Sequence, residues 1–447
     1  MTKIKFPHPL TLLAGCILLA AVFSYILPAG QYDRVDDPNT GRKVVVAGTY
    51  HRVPQQPVNP FQAVVAIPKG MADAASVIFL VFLVGGAFTV VDQTGALKQS
   101  VGWLVRKLEN HETLVIPIVS LFFAAGGALE NMQEEILALV PVLLLLTRRL
   151  GFKPITAVAM SLGSAAVGAA FSPINPFQVT IAQKVAGLPF LTGWKFRLAF
   201  MILALAIWII GTMRHAKKTR VEPEVAEQEE TGPFDFRKMI VLAIVLIAFA
   251  IFVYGVLKLG WDFDQMSALF FIMGVAAGLI GGLGVGGTAE SFVEGFKSMA
   301  FAGLLIGFAR AIFIVLDQGQ VIDTVVNALV TPLAHLPVAA SAIGMMIVHT
   351  FIHIPVPSVS GQAVLTMPVL VPVSDLIGLS RQVTVLAYQF GAGLCELLTP
   401  TNGALMAIIA AAGVRFDEWL KFAFKLYLLL FGLGIIAVVI GIAVGLQ

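Results

Sequence analysis

Two short polar motifs of the form Ser/Thr-Pro-x-Asn interrupt long apolar stretches of the chain, at Ser172–Asn175 and Thr399–Asn402. A proline removes a backbone hydrogen bond, so it kinks or breaks a helix. The half-helix that follows begins with free N–H groups and the positive end of the helix dipole, which suits a carboxylate. A lone proline is most often only a kink, but the same motif at two matched positions favours a binding site. The predicted binding residues are Ser172, Asn175, Thr399, Thr401 and Asn402.

Two further polar stretches, Gly126–Glu135 and His353–Gln362, also interrupt apolar sequence. The apolar runs on either side of each are shorter than the roughly 20 residues that a helix needs to cross a bilayer. This length predicts two re-entrant helical hairpins whose tips reach the interrupted helices. The tips add Asn131, Ser358 and Ser360 to the predicted binding residues. For a Na⁺ ion, the candidate oxygen ligands are Asn131, Ser172, Asn175, Ser360, Thr399 and Asn402.

Charged residues lie in or near these stretches, and ionisable side chains inside a membrane are costly and usually functional. Glu134 and Glu135 can hold an ammonium or guanidinium group or carry a coupling proton; alternatively, one of them caps the helix that follows. Glu396 stands just before the second motif, and Arg310 is a partner for one of these glutamates or for a substrate carboxylate. All four are predicted binding residues. The coupling ion is expected to be Na⁺ or H⁺, and no cofactor is expected.

Histidines and cysteines give no metal prediction. His349 and His353 are one helical turn apart, a spacing that suits metal ligation, but the sequence places no third ligand. Polar packing is therefore favoured for this pair. Cys16 and Cys395 both lie in apolar stretches, which indicates neither a disulfide framework nor a thiolate site.

The composition is that of a membrane protein. Of 447 residues, 58% are hydrophobic and 12% are charged, whereas soluble domains carry about 25% charged residues. Backbone groups inside lipid must be satisfied internally, and long apolar runs without alternation favour helices over a barrel. We therefore predict an all-α polytopic membrane protein embedded in the lipid bilayer. The net charge of +3 gives no support for nucleic-acid binding, and Leu10–Leu27 is predicted to be a retained helix rather than a signal peptide.

The two halves of the chain resemble each other, which indicates an internal duplication. Pro141 and Pro173 match Pro368 and Pro400 at the same spacing. If the second repeat is inverted and the N-terminus is cytoplasmic, most of the 29 lysines and arginines lie inside, as the positive-inside rule expects. The predicted boundaries are a first repeat at 1–213 with a hairpin at 112–147 and a broken helix at 154–186, a cytoplasmic linker at 214–238, a connecting helix at 239–263, and a second repeat at 264–447 with a hairpin at 338–376 and a broken helix at 382–413.

Several stretches resemble a known family over nearly the whole chain. They are Leu27–Tyr32, Ala47–Tyr50, Val53-Pro54, Ser358–Pro368 and Leu398–Gly403. Together they are similar to the YfcC-type carriers, which are grouped with basic amino-acid antiporters and anaerobic C4-dicarboxylate carriers. The resemblance implies an ion-transporter-superfamily fold, with a dimerising scaffold domain and a transport domain of two hairpins and two broken helices that moves as an elevator. Members usually carry Gly-Asp-Gly where this chain has Gly391–Gly393, with Glu396 nearby, and often a lysine where it has Gln362.

These patterns together predict a secondary active transporter of a small metabolite that carries a carboxylate, with an amino acid as the leading substrate and basic amino-acid exchange as one form of it. The alternative is a C4-dicarboxylate carrier in which Arg310 binds the second carboxylate. An intramembrane hydrolase is a distant alternative, since the sequence has no Ser/His or Asp/Asp pair at a motif spacing; the protein is not expected to be an enzyme. A channel is disfavoured. The expected location is the bacterial cytoplasmic membrane, as a homodimer.

Overall fold

The computed structural model describes residues 8–37, 42–97, 99, 112–189, 191–223, 235–259, 261 and 263–446. The predicted helical fold is confirmed for these residues. In chain order the helices of the first half are α1 (Pro9–Ile26), α2 (Pro60–Asp73), α3 (Ala75–Gln93), α4 (Val115–Glu130), α5 (Ile136–Arg149), α6 (Pro154–Ala170), α7 (Ile181–Val185) and α8 (Trp194–Lys218). Those of the second half are α9 (Phe236–Leu259), α10 (Phe263–Ile280), α11 (Gly284–Gln318), α12 (Ile322–Val330), α13 (Val338–His353), α14 (Val359–Leu376), α15 (Arg381–Cys395), α16 (Gly403–Ala411) and α17 (Phe416–Ala443).

Eight helices within the described ranges are long and apolar enough to cross a bilayer, with mean hydropathies from 1.3 to 2.7. Helices of this length and composition are the expected spanning elements of a lipid-embedded chain. The chain is therefore a multi-pass membrane protein. The middle of the predicted linker, 224–234, lies outside the described residues, and its two ends are helical, because α8 runs to Lys218 and α9 begins at Phe236.

The segment between α1 and α2 forms two short antiparallel strand pairs. β1 (Gly30–Gln31) pairs with β4 (His51–Arg52), and β2 (Arg34–Asp37) pairs with β3 (Arg42–Val45). The strands are tied to the second half of the chain, because Asp323 in α12 accepts hydrogen bonds from the Tyr32 backbone N–H at 2.9 Å and from the Arg34 guanidinium at 2.8 Å. Burial and the Asp323 carboxylate raise the pKa of Tyr32 to about 12, so the phenol stays protonated.

Packing separates most of the helices into two groups. In one group, α11 packs along α1, α2 and α3, while α10 packs on α3 and α9. The other group places α4 on α6, α13 on α15, and α17 on both α8 and α15; α6 and α15 pack on each other. The groups meet where α5 contacts α3 and where α16 contacts α11. Residues of three polar stretches predicted from the sequence, 126–135, 353–362 and 398–403, lie at this junction.

The predicted hairpins and broken helices appear as pairs of short helices. α4 and α5 are separated by a turn in which Asn131 adopts φ 56°, and α13 and α14 are separated by residues 354–358. A helix of 16 residues, such as α4 or α13, is about 24 Å long and falls short of a bilayer core of about 30 Å. Helix α6 stops at Ala170, and the chain resumes as a π-helical turn at Pro176–Thr180; α15 stops at Cys395 and α16 begins at Gly403.

Candidate functional site

The first interruption is the break at residues 171–175, between α6 and the π-helical turn. Two side chains of its motif hold it against the first hairpin tip, which is formed by the end of α4 and the turn before α5. The Ser172 hydroxyl donates to the Ala128 carbonyl at 2.7 Å and accepts from the Asn175 backbone N–H at 2.9 Å. The Asn175 amide donates to the Gly127 carbonyl at 2.8 Å, and its oxygen accepts from the N–H groups of the π turn. Both side chains are fully buried. The polar groups of Ser172 and Asn175 therefore bind backbone in this conformation and join the break to the tip.

The second interruption is also bonded to its hairpin tip, with two differences. Thr401 donates to the Ile354 carbonyl of the second tip at 2.6 Å, and Thr399 lies behind it with the two hydroxyl oxygens 2.9 Å apart. The Asn402 oxygen accepts from the Leu405 backbone N–H at 3.1 Å and so caps α16. Its amide nitrogen, however, donates to a side chain from the first half of the chain rather than to a carbonyl of the second tip.

That side chain is Gln133, which the sequence analysis did not select. Gln133 accepts from Asn402 at 3.1 Å and donates from its amide nitrogen to the Glu396 carboxylate at 2.6 Å. Gln133 and Glu396 are 4% and 5% exposed, so the link is buried. The first hairpin tip is thus joined to the second interruption by side chains alone.

A cavity of about 280 Å³ lies beside this link, and we name it the tip cavity. Both hairpin tips, the second interruption and α11 contribute to its wall. The predicted binding residues that line it are Glu134, Arg310, Ser358, Thr401 and Asn402. Asp73 at the end of α2 also lines it and was not predicted. The polar groups of the tip cavity come from elements far apart in the sequence, as in many small-molecule sites.

Arg310 finds its partner in Asp73, not in a glutamate of the tip. The guanidinium donates to the Asp73 carboxylate, and both side chains are more than one-third exposed. The guanidinium also stacks over Phe313, with 4.8 Å between its central carbon and the ring centroid. The expected pairing of Arg310 with Glu134, Glu135 or Glu396 is therefore not made in this conformation. Asp73 had no sequence signal, because a single aspartate at a helix end is usually a surface residue.

A second cavity, of about 380 Å³, adjoins the first, and we name it the loop cavity. It shares Arg310, Phe313, Pro357 and Ser358 with the tip cavity. The strand segment, the end of α11 and α12 complete its wall with charged residues of both signs. These are Arg34 and Lys43 from the strand segment, Asp317 from α11 and Asp323 from α12. Arg310 therefore stands at the junction of the two cavities.

The remaining predicted residues lie outside the tip cavity. Asn131 accepts from the Gln178 amide at 3.0 Å beside the first interruption. Glu135 accepts from the Gln133 backbone N–H at 3.1 Å just before α5, and its side chain makes no capping hydrogen bond to that helix. Ser360 is half-buried on α14 and is absent from the walls of both cavities as far as the described residues define them.

A Na⁺ site stays a prediction. Of the six candidate ligands, the side-chain oxygens of Ser172, Asn175 and Asn402 each accept at least one backbone N–H bond in this conformation. No group of three or more His, Cys, Asp or Glu residues suited to a metal occurs among the residues that the structure describes. His349 and His353 are instead joined through Gln362, whose amide contacts a ring nitrogen of each at 3.1 and 3.0 Å.

A buried arginine completes the polar core, and the sequence analysis did not select it. Arg197 in α8 is fully buried, and its guanidinium donates to Gln389 at 3.0 Å, to Gln382 at 2.6 Å and to the Thr192 carbonyl at 2.8 Å. Gln389 in turn donates to the Ser172 carbonyl at 2.8 Å. Arg197 thereby helps to fix the first interruption.

Comparison with known proteins gives matches over nearly the full length. The family model described as C4-dicarboxylate anaerobic carrier matches residues 6–443. The Escherichia coli (strain K12) protein named "Putative basic amino acid antiporter YfcC" is 32% identical over 97% of this chain and 96% of its own length. An uncharacterized protein of Haemophilus influenzae is 29% identical over 98% and 97%. The solved structure of the Alcanivorax borkumensis YdaH transporter covers 98% of this chain and 99% of its own at 17% identity, with a TM-score of 0.46.

Proposed function

The chain belongs to the C4-dicarboxylate anaerobic carrier family, and within it we propose a secondary active transporter of amino acids, with a basic amino acid as the substrate class. The observation that carries this choice is the charge of the tip cavity. One guanidinium, Arg310, faces two carboxyl groups, those of Asp73 and Glu134. This balance is complementary to a molecule with one carboxylate and two cationic groups. A substrate with two carboxylates would place its second negative charge near Asp73 or Glu134.

The proposed binding mode follows from the ion pair. The substrate carboxylate takes the place of Asp73 on the Arg310 guanidinium, because planar guanidinium groups bind carboxylates with two parallel hydrogen bonds. The released Asp73 carboxylate and Glu134 then hold the substrate's cationic groups. Hydroxyl groups of Ser358 and Thr401 are on the same wall for further hydrogen bonds. The volume of about 280 Å³ is at the small end for ligand pockets, as a single amino acid requires.

The transport mechanism in this proposal is alternating access by inverted repeats. The packing supports it through one crossed relationship: α5, in the first hairpin, contacts α16 after the second break, and α14, in the second hairpin, contacts α7 after the first break. Two repeats related by an axis through the site are expected to make such contacts in pairs, each hairpin with the half-helix that follows the other repeat's break. The group of α4, α6, α8, α13, α15 and α17 is the proposed moving domain, and the group around α11 is the proposed scaffold. Assembly as a homodimer stays a prediction.

The side from which this conformation is open is also part of the proposal. With a cytoplasmic N-terminus, α1 carries the chain across and leaves the strand segment on the opposite face of the membrane. The loop cavity is bounded by that segment and shares Arg310 with the tip cavity. The conformation therefore corresponds to a state that receives substrate from the extracytoplasmic side of a bacterial inner membrane.

The C4-dicarboxylate alternative rests on the family model and on the cationic residues of the loop cavity, Arg34 and Lys43. Exchange assays separate the two. Purified protein in liposomes loaded with unlabelled arginine is expected to take up labelled arginine by counterflow, with saturation, and unlabelled succinate is not expected to compete. Succinate counterflow without arginine counterflow selects the alternative, and failure of both under imposed pH and Na⁺ gradients overturns the transport proposal.

A further inference from the structure

The carboxyl group of Glu396 is buried without a cationic partner. Glu396 is 5% exposed and directly follows α15. Within the described ranges of the chain, no lysine, arginine or histidine forms an ion pair with it. A buried carboxylate without a partner is strongly unfavourable. Its position at the C-terminal end of a helix, where the dipole is negative, makes the charged form less favourable still.

The hydrogen bonds around Glu396 leave one carboxyl oxygen for a proton. Asn402 uses its oxygen to cap α16, so its amide nitrogen must face Gln133. Gln133 therefore presents its oxygen to Asn402 and its nitrogen to one oxygen of Glu396, at 2.6 Å. These hydrogen bonds fix the orientation of both amides. The second carboxyl oxygen is not used by this chain of bonds.

The other charged and titratable groups on the surrounding elements do not supply a counter-charge. On the tip, Glu134 and Glu135 are themselves acidic, and Cys395 is the chain neighbour. His353 on α13 is directed to Gln362, Arg310 on α11 bonds Asp73, and Lys421 on α17 bonds Asp417 at 2.9 Å. The acidic groups add repulsion to the charged form of Glu396.

We propose that Glu396 carries a proton in this conformation and that this proton is the one that the transporter couples to substrate movement, with Gln133 as the residue that senses it. The Gln133 side chain lies on the first hairpin tip, and Glu396 lies at the second interruption, so the bond between them closes the tip onto the break. Loss of the proton leaves a charge that needs water, and water enters only if the tip moves away. The proton state of Glu396 thereby controls access to the adjoining tip cavity. The coupling role rests on the proposed transport function, whereas the protonation of Glu396 does not.

The first test does not need a substrate. Infrared difference spectra of the purified protein at neutral pH, compared with Glu396→Gln, are expected to show the carbonyl band of a protonated carboxylic acid that the variant lacks. The exposed Glu418→Gln serves as the matched control and leaves the band in place. Gln133→Leu keeps the carboxyl group and removes its donor, so the band should remain and shift in frequency. The protonation of Glu396 is overturned if the band persists in Glu396→Gln. It is also overturned if the band disappears in Glu134→Gln instead.

The second test measures coupling in liposomes with labelled arginine or succinate, whichever the wild type exchanges. Glu396→Gln is expected to lose the accumulation of labelled substrate that a pH gradient drives. This loss is expected to exceed any loss of counterflow in the same variant, while Glu418→Gln behaves as wild type. Accumulation in Glu396→Gln that still follows the pH gradient overturns the coupling role. If the wild type exchanges neither probe, the proposed function fails, and the infrared result alone decides whether Glu396 is protonated.

Discussion

Trp208 and Trp419 pack with ring centroids 6.3 Å apart, and each donates its indole N–H to a carbonyl of an interrupted helix. Trp208 in α8 bonds the Ala159 carbonyl at 2.8 Å, at the π-helical turn of α6. Trp419 in α17 bonds the Leu397 carbonyl at 2.7 Å, just after α15 ends. Both rings are fully buried. Irregular helical segments leave carbonyls that can accept a further donor, and this aromatic pair supplies one to the π-helical turn of α6 and one to the second interruption.

Replacing Trp419 by Phe removes the donor to Leu397 and keeps most of the ring packing. A buried carbonyl left without a partner costs about 1–3 kcal/mol, so Trp419→Phe should lower the stability of the detergent-solubilised protein. Thermal unfolding followed by tryptophan fluorescence or by thiol labelling of buried Cys395 measures the change. The partly exposed Trp194 provides the matched variant, Trp194→Phe, which is expected to unfold like the wild type. Equal unfolding temperatures for the two variants would contradict the role of the hydrogen bond.

Gly127 allows α4 and α6 to touch through their backbones. A Cβ at Gly127 would lie 2.0 Å from the Ala165 carbonyl oxygen, and one at Gly168 would lie 2.2 Å from that of Ala124. Because backbone cannot rotate away as a side chain can, Gly127→Ala must push the helices apart. Overpacking of this kind costs about 1–3 kcal/mol, and the shift displaces the Gly127 carbonyl that Asn175 binds.

The control for this change is Gly432→Ala in α17, where an added Cβ meets nothing within 4 Å. Thermal stability and substrate exchange are both expected to fall in Gly127→Ala and to stay at the wild-type level in Gly432→Ala. A Gly127→Ala protein as stable and as active as Gly432→Ala would show that the close contact of α4 and α6 is not needed.

Arg310 and Asp73 should have separable effects on binding. Arg310→Gln removes the group proposed for the substrate carboxylate, and loss of a charged hydrogen bond of about 1.5–3 kcal/mol weakens affinity by roughly 10- to 100-fold. Asp73→Asn also breaks the ion pair with Arg310 but leaves the guanidinium available. The substrate carboxylate is therefore expected to bind as well or better, while the second cationic group of a basic amino acid loses a partner. Competition of arginine and of a neutral amino acid against labelled substrate measures both effects.

Arg381 offers the comparison for these substitutions, because it forms an ion pair with Asp375 at 2.7 Å away from either cavity. Arg381→Gln is expected to leave substrate affinity unchanged. An affinity loss of the same size in Arg381→Gln and Arg310→Gln would argue for a general effect of charge rather than for contact with the substrate.

Asp323 holds the strand segment against α12. It is 4% exposed and accepts hydrogen bonds from the Tyr32 backbone and from Arg34. Removing it leaves the Tyr32 backbone N–H without this acceptor and the Arg34 guanidinium without its counter-charge, so Asp323→Ala should loosen the segment. Limited proteolysis is expected to cut residues 30–52 faster than in the wild type. Asp36→Ala, on the exposed side of β2, should be cut at the wild-type rate, and equal rates for both variants would count against this contact.

Local chemistry explains how much of the architecture was predictable. The apolar runs and the prolines at positions 173 and 400 act within a few residues of themselves, and the non-helical residues 171–175 and 396–402 include the two motifs Ser172–Asn175 and Thr399–Asn402. The hairpin turns were likewise marked by their polar residues. The strand pairs between α1 and α2 were harder to predict, because strands of two to four residues leave almost no periodicity.

The roles within the site were less predictable, because they depend on partners that are distant in the chain. Ser172 and Asn175 were selected as substrate ligands, and packing instead brought carbonyls of the first tip within their reach. Asp73 belongs to no motif and was not selected, and Gln133 lies within the polar stretch Gly126–Glu135 but was not selected from it. A glutamine or an aspartate becomes part of a site only when another element is placed opposite it.

The sequence by itself determined that the chain is a helical membrane protein with two interrupted helices and two polar tips, because composition and helix breaking are properties of neighbouring residues. Only the tertiary structure decided which side chains meet: Arg310 with Asp73, and Gln133 with Glu396 and Asn402. The physical reason is that a buried polar group takes whatever partner the packing of helices presents within hydrogen-bond distance. Matching residues in the two halves therefore make different contacts, as the bonds of Asn175 to backbone and of Asn402 to Gln133 demonstrate.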